Sequence, residues 1–222
     1  MTYALLTGFE PYGGRDDNPT TAIVAALSDT TVGNVPVKGA VLPVSAQRIE
    51  ARIEALLDEV SAPPVCVLAT GLAPNAACLR VERLAHNVKS FAGIDNDGER
   101  CEDQLVDANG PGARLSTFEP RAIANRLLAE GIPVQLSSSA GTYLCNMALY
   151  LLLAGLERRG WAIPCGFIHV PYSPQQVAAL VRHDSLIEAD TAGPPPSMSV
   201  EVMTSGIQAA LEICAGAASS TA

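Results

Sequence analysis

Strand-like and helix-like patterns alternate along this chain, and that alternation limits the folds open to it more than any other feature. Residues 3–9, 37–43, 65–70, 133–137 and 165–170 are short, mostly apolar runs, the pattern of strands in a helix-covered sheet. Helical patterns lie between them. Residues 19–27 follow the polar turn Asp16-Asp17-Asn18, and Ser45 can cap a helix whose apolar residues Ile49, Ile53, Leu56, Leu57 and Val60 recur at three and four. Pro120 suits the first turn of a helix over 120–130, which Gly131 ends. Helices over 141–159, 175–183 and 200–213 complete the set, the last two separated by Gly193-Pro194-Pro195-Pro196. Residues 80–88 read as one more short strand, 90–112 as a long excursion dense in Gly, Asp and Asn, and 215–222 as a frayed tail. With no internal repeat and no linker, the expectation is one α/β domain over 1–222. Its sheet should be mostly parallel and twisted, with helices on both faces.

Composition narrows the partners. Nearly half of the 222 residues are apolar and the net charge is −9. Nucleic acid and anionic membrane demand clustered Lys and Arg, so neither is expected to bind. The opening MTYALLTGF lacks the basic and long apolar regions of a signal peptide, and no apolar stretch has the length of a membrane span. The six cysteines, at 66, 78, 101, 145, 165 and 214, form no C-x-x-C pair. That spacing argues against a disulfide framework or structural zinc and fits a reducing, cytoplasmic location.

Ligands of such sheets gather at the carboxyl ends of the strands. Three loops fall there, 7–14, 70–74 and 137–145, and His169 ends a further strand. The first loop reads TGFEPYGG. Gly8 and Gly13 have the gap of a P-loop, but Gly14, Arg15 and Asp16 stand where Lys and a hydroxyl residue are needed, and G-x-G-x-x-G is absent. Phe9 and Tyr12 occupy the loop instead, with Pro11 stiffening it. Their faces suit a flat neutral ligand, although glycines that merely turn the chain would give the same letters.

The stretch SSSAGTYLCN carries a strand into a helix and sets Cys145 in that helix's first turns. Free amides and the macrodipole there favour a thiolate, and the amides could receive an oxyanion. An isolated cysteine is more often a buried structural one, the reading that fits Cys66, Cys165 and Cys214, and also Cys78 and Cys101. Of the three histidines, His183 falls on a surface helix and His86 in a polar stretch. His169 ends an apolar strand at the cleft edge, where a base for Cys145 would stand. Glu82, within the short apolar segment LRVERLAHN, is the best candidate to orient that imidazole, although spacing alone cannot bring the three together.

These segments resemble the pyrrolidone-carboxylate peptidases, or pyroglutamyl peptidases I, a family of cysteine peptidases. The cysteine signature matches at Ser137, Ser139-Ala140-Gly141, Tyr143, Cys145 and Asn146, and the glutamate signature at Gly71, Pro74, Leu79, Glu82-Arg83-Leu84-Ala85 and Asn87. TGFEPYGG with Asn18-Pro19, and GFIHVPY, match as well. The resemblance implies a thiol nucleophile at Cys145, a base at His169 and an orienting carboxylate at Glu82. It further implies Phe9 and Tyr12 against a pyroglutamyl ring, the Asn18 region closing the pocket, and no metal or organic cofactor. Peptides with an N-terminal pyroglutamate would be the substrates, and the chain would assemble as a homodimer or homotetramer. Three positions depart from the pattern. Arg80 stands for Ser or Thr, Leu72 for Gln, and residues 91–96, with Ala92, lack an arginine common in bacterial members.

Overall fold

The computed structural model describes residues 2–59, 62–183 and 193–219. In chain order the elements are β1 (Ala4–Phe9), α1 (Pro19–Leu27), β2 (Thr31–Val32), β3 (Val35–Leu42), α2 (Ile49–Asp58), β4 (Cys66–Leu72), β5 (Leu79–Glu82) and β6 (Leu84–His86). They continue with β7 (Ala113–Leu115), α3 (Pro120–Ala129), β8 (Val134–Ser137), α4 (Leu144–Arg158), β9 (Cys165–Val170), α5 (Pro174–His183) and α6 (Val200–Ser219). Seven strands form one sheet in the order β2-β3-β1-β4-β9-β5-β8. Strands β3, β1, β4 and β9 run parallel; β5 reverses against β9 and carries β8 parallel to itself. The sheet is therefore mostly parallel, as the alternation implies.

Strand periodicity of two distributes the core to both faces. Leu5, Val67, Ala69, Cys165 and Phe167 pack with α2 and α4 on one side. Ala4, Leu6, Cys66, Leu68, Leu79, Val81 and Ile168 pack with α1, α3 and α6 on the other. Helix α4 is buried almost all round, from Met147 to Leu156. Such a helix is held by the sheet and its neighbours rather than by an amphipathic stripe.

The sequence boundaries shift where side chains, not hydrophobicity, set them. Residues 80–88 are two strands, because the chain leaves the main sheet at Arg83 and β6 pairs with β7, a strand too short to show a pattern. Helix α4 starts at Leu144 rather than 141, since Gly141 takes φ +79° and the Ser137 and Ser139 hydroxyls accept from the amides of Ser139 and Gly141. Ser45 acts one turn early: its Oγ accepts from Arg48 N at 3.1 Å, ahead of α2. Helix α6 continues to Ser219 with Ala215 only 3 % exposed, so 215–219 are not frayed. Val60 and 220–222 lie outside the described residues. The 90–112 excursion has little regular structure but is pinned. Asp95, buried, accepts from the backbone amides of Ala46, Asp97 and Glu99.

Candidate active site

Register places the site. Gly71 pairs with His169, and His169 with Arg80. Phe9, two residues beyond the Thr7–Ala69 pair, reaches the same level. Phe9, Gly71, His169 and Arg80 thus form one row across four neighbouring strands, on the face that α4 covers. Gly71 has no side chain, and the Cys145 sulfur occupies the room this leaves. A Cβ built at Gly71 would stand 2.7 Å from Sγ and 2.7 Å from the Phe167 ring.

Cys145 is the second residue of α4, whose N-cap, Tyr143, makes no side-chain capping bond. The first-turn amides have no intrahelical partners, as at any helix N-terminus, and no cap side chain covers them. Asn146, fully buried, anchors this turn: its Oδ1 accepts from His86 N at 2.8 Å, and its Nδ2 donates to His86 O and Val88 O at 2.9 Å.

His169 Nδ1 meets Glu82 Oε1 at 2.8 Å, with Glu82 wholly buried and His169 6 % exposed. The carboxylate reaches the ring because Glu82 sits diagonally across the β5–β9 ladder, opposite Phe167. Its Oε2 has no partner among the described residues, so the imidazole is the only group answering that buried charge. Burial works against a charged His169. Cys145, whose sulfur lies beside the ring, and Glu82 outweigh burial and push the imidazole from 6.5 up to about 9. The Glu82 bond holds the imidazole ring beside the sulfur.

Phe9, Tyr12, Asn18, Tyr143, Cys145 and His169 all line one cavity of about 510 Å³. Tyr12 and Tyr143 face each other with ring centroids 6.0 Å apart, and Phe91 braces Tyr143 edge-on at 4.7 Å. Burial and the neighbouring Cys145 raise the Tyr12 phenol well above its ordinary value, despite Arg15. Tyr143 is pushed up to about 12 by burial, Asp95 and Cys145. Both walls are therefore neutral at physiological pH. Asn18 caps α1, accepting from Thr20 N at 3.0 Å, while its Nδ2 donates to Glu10 O. Glu10, its side chain 32 % exposed, bridges two segments. Its Oε1 accepts from Val44 N and Asn96 Nδ2, tying the first loop to the excursion.

All six residues singled out by sequence thus converge, Glu82 behind His169 and the other five at the cavity. Sequence reading missed three others: Gly71, Tyr143 as a wall, and Arg80 as a lining residue. The spacing Arg80-x-Glu82 on a strand carried a signal for the third, since alternate residues share a face. The other cysteines are free, with Cys66, Cys101, Cys165 and Cys214 buried. Among the described residues no cluster of His, Cys, Asp or Glu could hold a metal ion. No described helix is long and apolar enough to cross a membrane.

The family model for pyroglutamyl peptidase matches residues 2–217. The pyrrolidone-carboxylate peptidase of Thermococcus litoralis is 38% identical over 213 residues, covering 96% of this chain and 93% of that protein. The one from Pyrococcus furiosus is 35% identical over 209 residues, covering 94% and 96%. The solved structure of the Thermococcus litoralis enzyme superposes with a TM-score of 0.90 at 35% identity, covering 100% of this chain and 97% of that one. The chain belongs to the pyroglutamyl peptidase family of cysteine peptidases.

Proposed function

We propose that this protein hydrolyses the amide bond after an N-terminal pyroglutamyl residue, with Cys145 as nucleophile, His169 as acid and base, and Glu82 orienting His169. One observation carries the reading: the buried 2.8 Å bond from Glu82 to His169 stands beside a sulfur at a helix N-terminus, in a cavity with aromatic walls. The substrate follows from those walls. Pyroglutamate is a flat lactam without an α-ammonium, so its recognition needs π-faces and a few hydrogen bonds rather than a carboxylate. Phe9 and Tyr12 hold the ring, and Asn18, which has one amide proton beyond that given to Glu10 O, closes that end.

The steps balance as follows. The Cys145 thiolate attacks the pyroglutamyl carbonyl, and first-turn amides of α4 receive the oxyanion. The carbon–nitrogen bond breaks as His169 gives its proton to the leaving amine, leaving a thioester on Cys145. Water then gives a proton to His169 and attacks the thioester. Sγ departs as thiolate, pyroglutamate is released, and the starting pair is restored.

Release of aminomethylcoumarin from its pyroglutamyl amide, with the prolyl amide as control and Cys145→Ala alongside, tests this. Cleavage of the first alone, lost in the variant, is the expected result. Cleavage of both amides, or activity that survives in Cys145→Ala, would refute it. The same reading has the protein working in the cytoplasm as a homodimer or homotetramer, supported by its free cysteines and by the family resemblance. Light scattering on the purified protein tests the assembly.

A further inference from the structure

The cavity has a charged end that the reaction above does not use. Arg80 lines it. Its Nε is buried, and among the described residues Nε has no hydrogen-bond partner and Arg80 forms no ion pair. A buried donor left unsatisfied in the free protein is a place where a ligand atom gains. The nearest carboxylate on its own strand, Glu82, is committed to His169. The protein as a whole carries −9, so its general field repels anions and a local cation in the site changes which substrates enter.

Position assigns this cation to one side of the scissile bond. In the row across the sheet, Phe9 on β1, Gly71 on β4, His169 on β9 and Arg80 on β5 follow one another. Neighbouring strands lie about 4.8 Å apart, so roughly 14 Å separates the strands of Phe9 and Arg80. The aromatic end takes the pyroglutamyl ring, and Cys145 and His169 flank the carbonyl in the middle. Arg80 is one strand beyond His169, the group that protonates the leaving nitrogen. The α-carboxyl carbon of the leaving residue is two bonds from that nitrogen, within reach of a long side chain one strand spacing away.

We propose that Arg80 is a specificity-determining residue that binds a carboxylate on the residue following pyroglutamate. This inference rests on the reading in the preceding subsection. The carboxylate is either the C-terminal one of a pyroglutamyl dipeptide or that of an acidic side chain in a longer peptide. The guanidinium fork offers paired donors to both.

Two substrate pairs separate the sources: pyroglutamyl-alanine against its amide, and pyroglutamyl-glutamic amide against pyroglutamyl-glutamine amide. Pyroglutamyl peptides carry no primary amine, so the amine released by hydrolysis is measured directly with an amine-reactive dye. The readout is the ratio of kcat/KM within a pair, which cancels any loss common to both members. A hydrogen-bonded charge is worth about a factor of ten or more, so the wild-type ratio should exceed that of Arg80→Met by about tenfold in at least one pair. The difference should lie mainly in KM, and Arg80→Lys should restore part of it. In the wild-type protein alone, raising salt from 10 mM to 500 mM should lower the ratio severalfold by screening. Equal ratios in wild type and Arg80→Met would overturn the proposal. Should that variant not fold, a wild-type ratio indifferent to salt would overturn it as well. Failure of the wild-type enzyme on every pyroglutamyl substrate would instead sink the underlying peptidase reading.

Discussion

Replacing Gly71 with alanine tests the placement of Cys145 without replacing any proposed catalytic residue. Gly71 has no positive φ, so alanine meets no backbone penalty, and the effect is one of space alone. The new Cβ would stand 2.7 Å from Cys145 Sγ and 2.7 Å from the Phe167 ring, where ordinary contact begins at 3.4 Å. At least ~0.7 Å must be found on each side, taking the usual van der Waals separation as the limit. Phe167 is fully buried and its ring lies 4.8 Å from that of His169, so yielding there disturbs the base. Overpacking of this size costs about 1–3 kcal/mol of stability. A misplacement approaching 1 Å in the reacting groups costs up to ~10²-fold in rate. We therefore expect kcat/KM on the pyroglutamyl coumarin amide to fall between roughly tenfold and a hundredfold. Alkylation of Cys145 by iodoacetamide should slow in parallel. Gly93→Ala, which meets no heavy atom within 4 Å, is the matched control. A Gly71→Ala protein with wild-type kcat/KM and alkylation rate would refute this account of where the sulfur sits.

Three further outcomes follow from the same geometry. His169 is raised to about 9, so kcat/KM should decline as pH climbs through that value and the imidazolium loses its proton, which a pH–rate profile measures. Stability has the same sign. The His169 contribution is complete below the ordinary 6.5 and is lost as pH rises through about 9. Unfolding midpoints across that range check it. Glu82→Gln should lower kcat/KM by roughly one to two orders of magnitude, less than Cys145→Ala, because an amide oxygen can still hold Nδ1 while the stabilising charge is gone. It should also move the alkaline decline to lower pH. An unmoved profile would remove the carboxylate from this role. Asn146→Ala should destabilise the protein by roughly 2–4 kcal/mol in urea unfolding, since it removes a fully buried amide and strands three part-buried backbone groups of His86 and Val88. A loss below about 1 kcal/mol would show that water replaces the amide.

The parallel sheet was legible because strands β1, β4 and β9 are buried on both faces and write themselves as continuous apolar runs. Helix α1 and strand β9 match their sequence limits to the residue, for α1 because Asn18 and Pro19 punctuate its start. The strands β2 and β7 were not legible: two and three residues carry no period. Nor was the break at Arg83, where LRVERLAH continues in composition while the chain passes from one sheet to another. The bonds of Glu10 to Val44 and Asn96 show the same limit, since they join segments far apart in the chain.

The sequence by itself determined the fold class and the family signatures and singled out Cys145, His169 and Glu82 as candidates, because periodicity, motif and residue chemistry are local properties. Only the tertiary structure decided that Glu82 reaches His169 diagonally across an antiparallel pair. It alone emptied the row at Gly71 to admit a sulfur, and set Tyr143 opposite Tyr12. It also left the Arg80 Nε without a hydrogen-bond partner among the described residues, at the far end of the cavity. Those facts depend on which strands are neighbours and in what register. Neighbourhood in a crossover sheet is fixed by packing over the whole chain, which no local stretch of letters records.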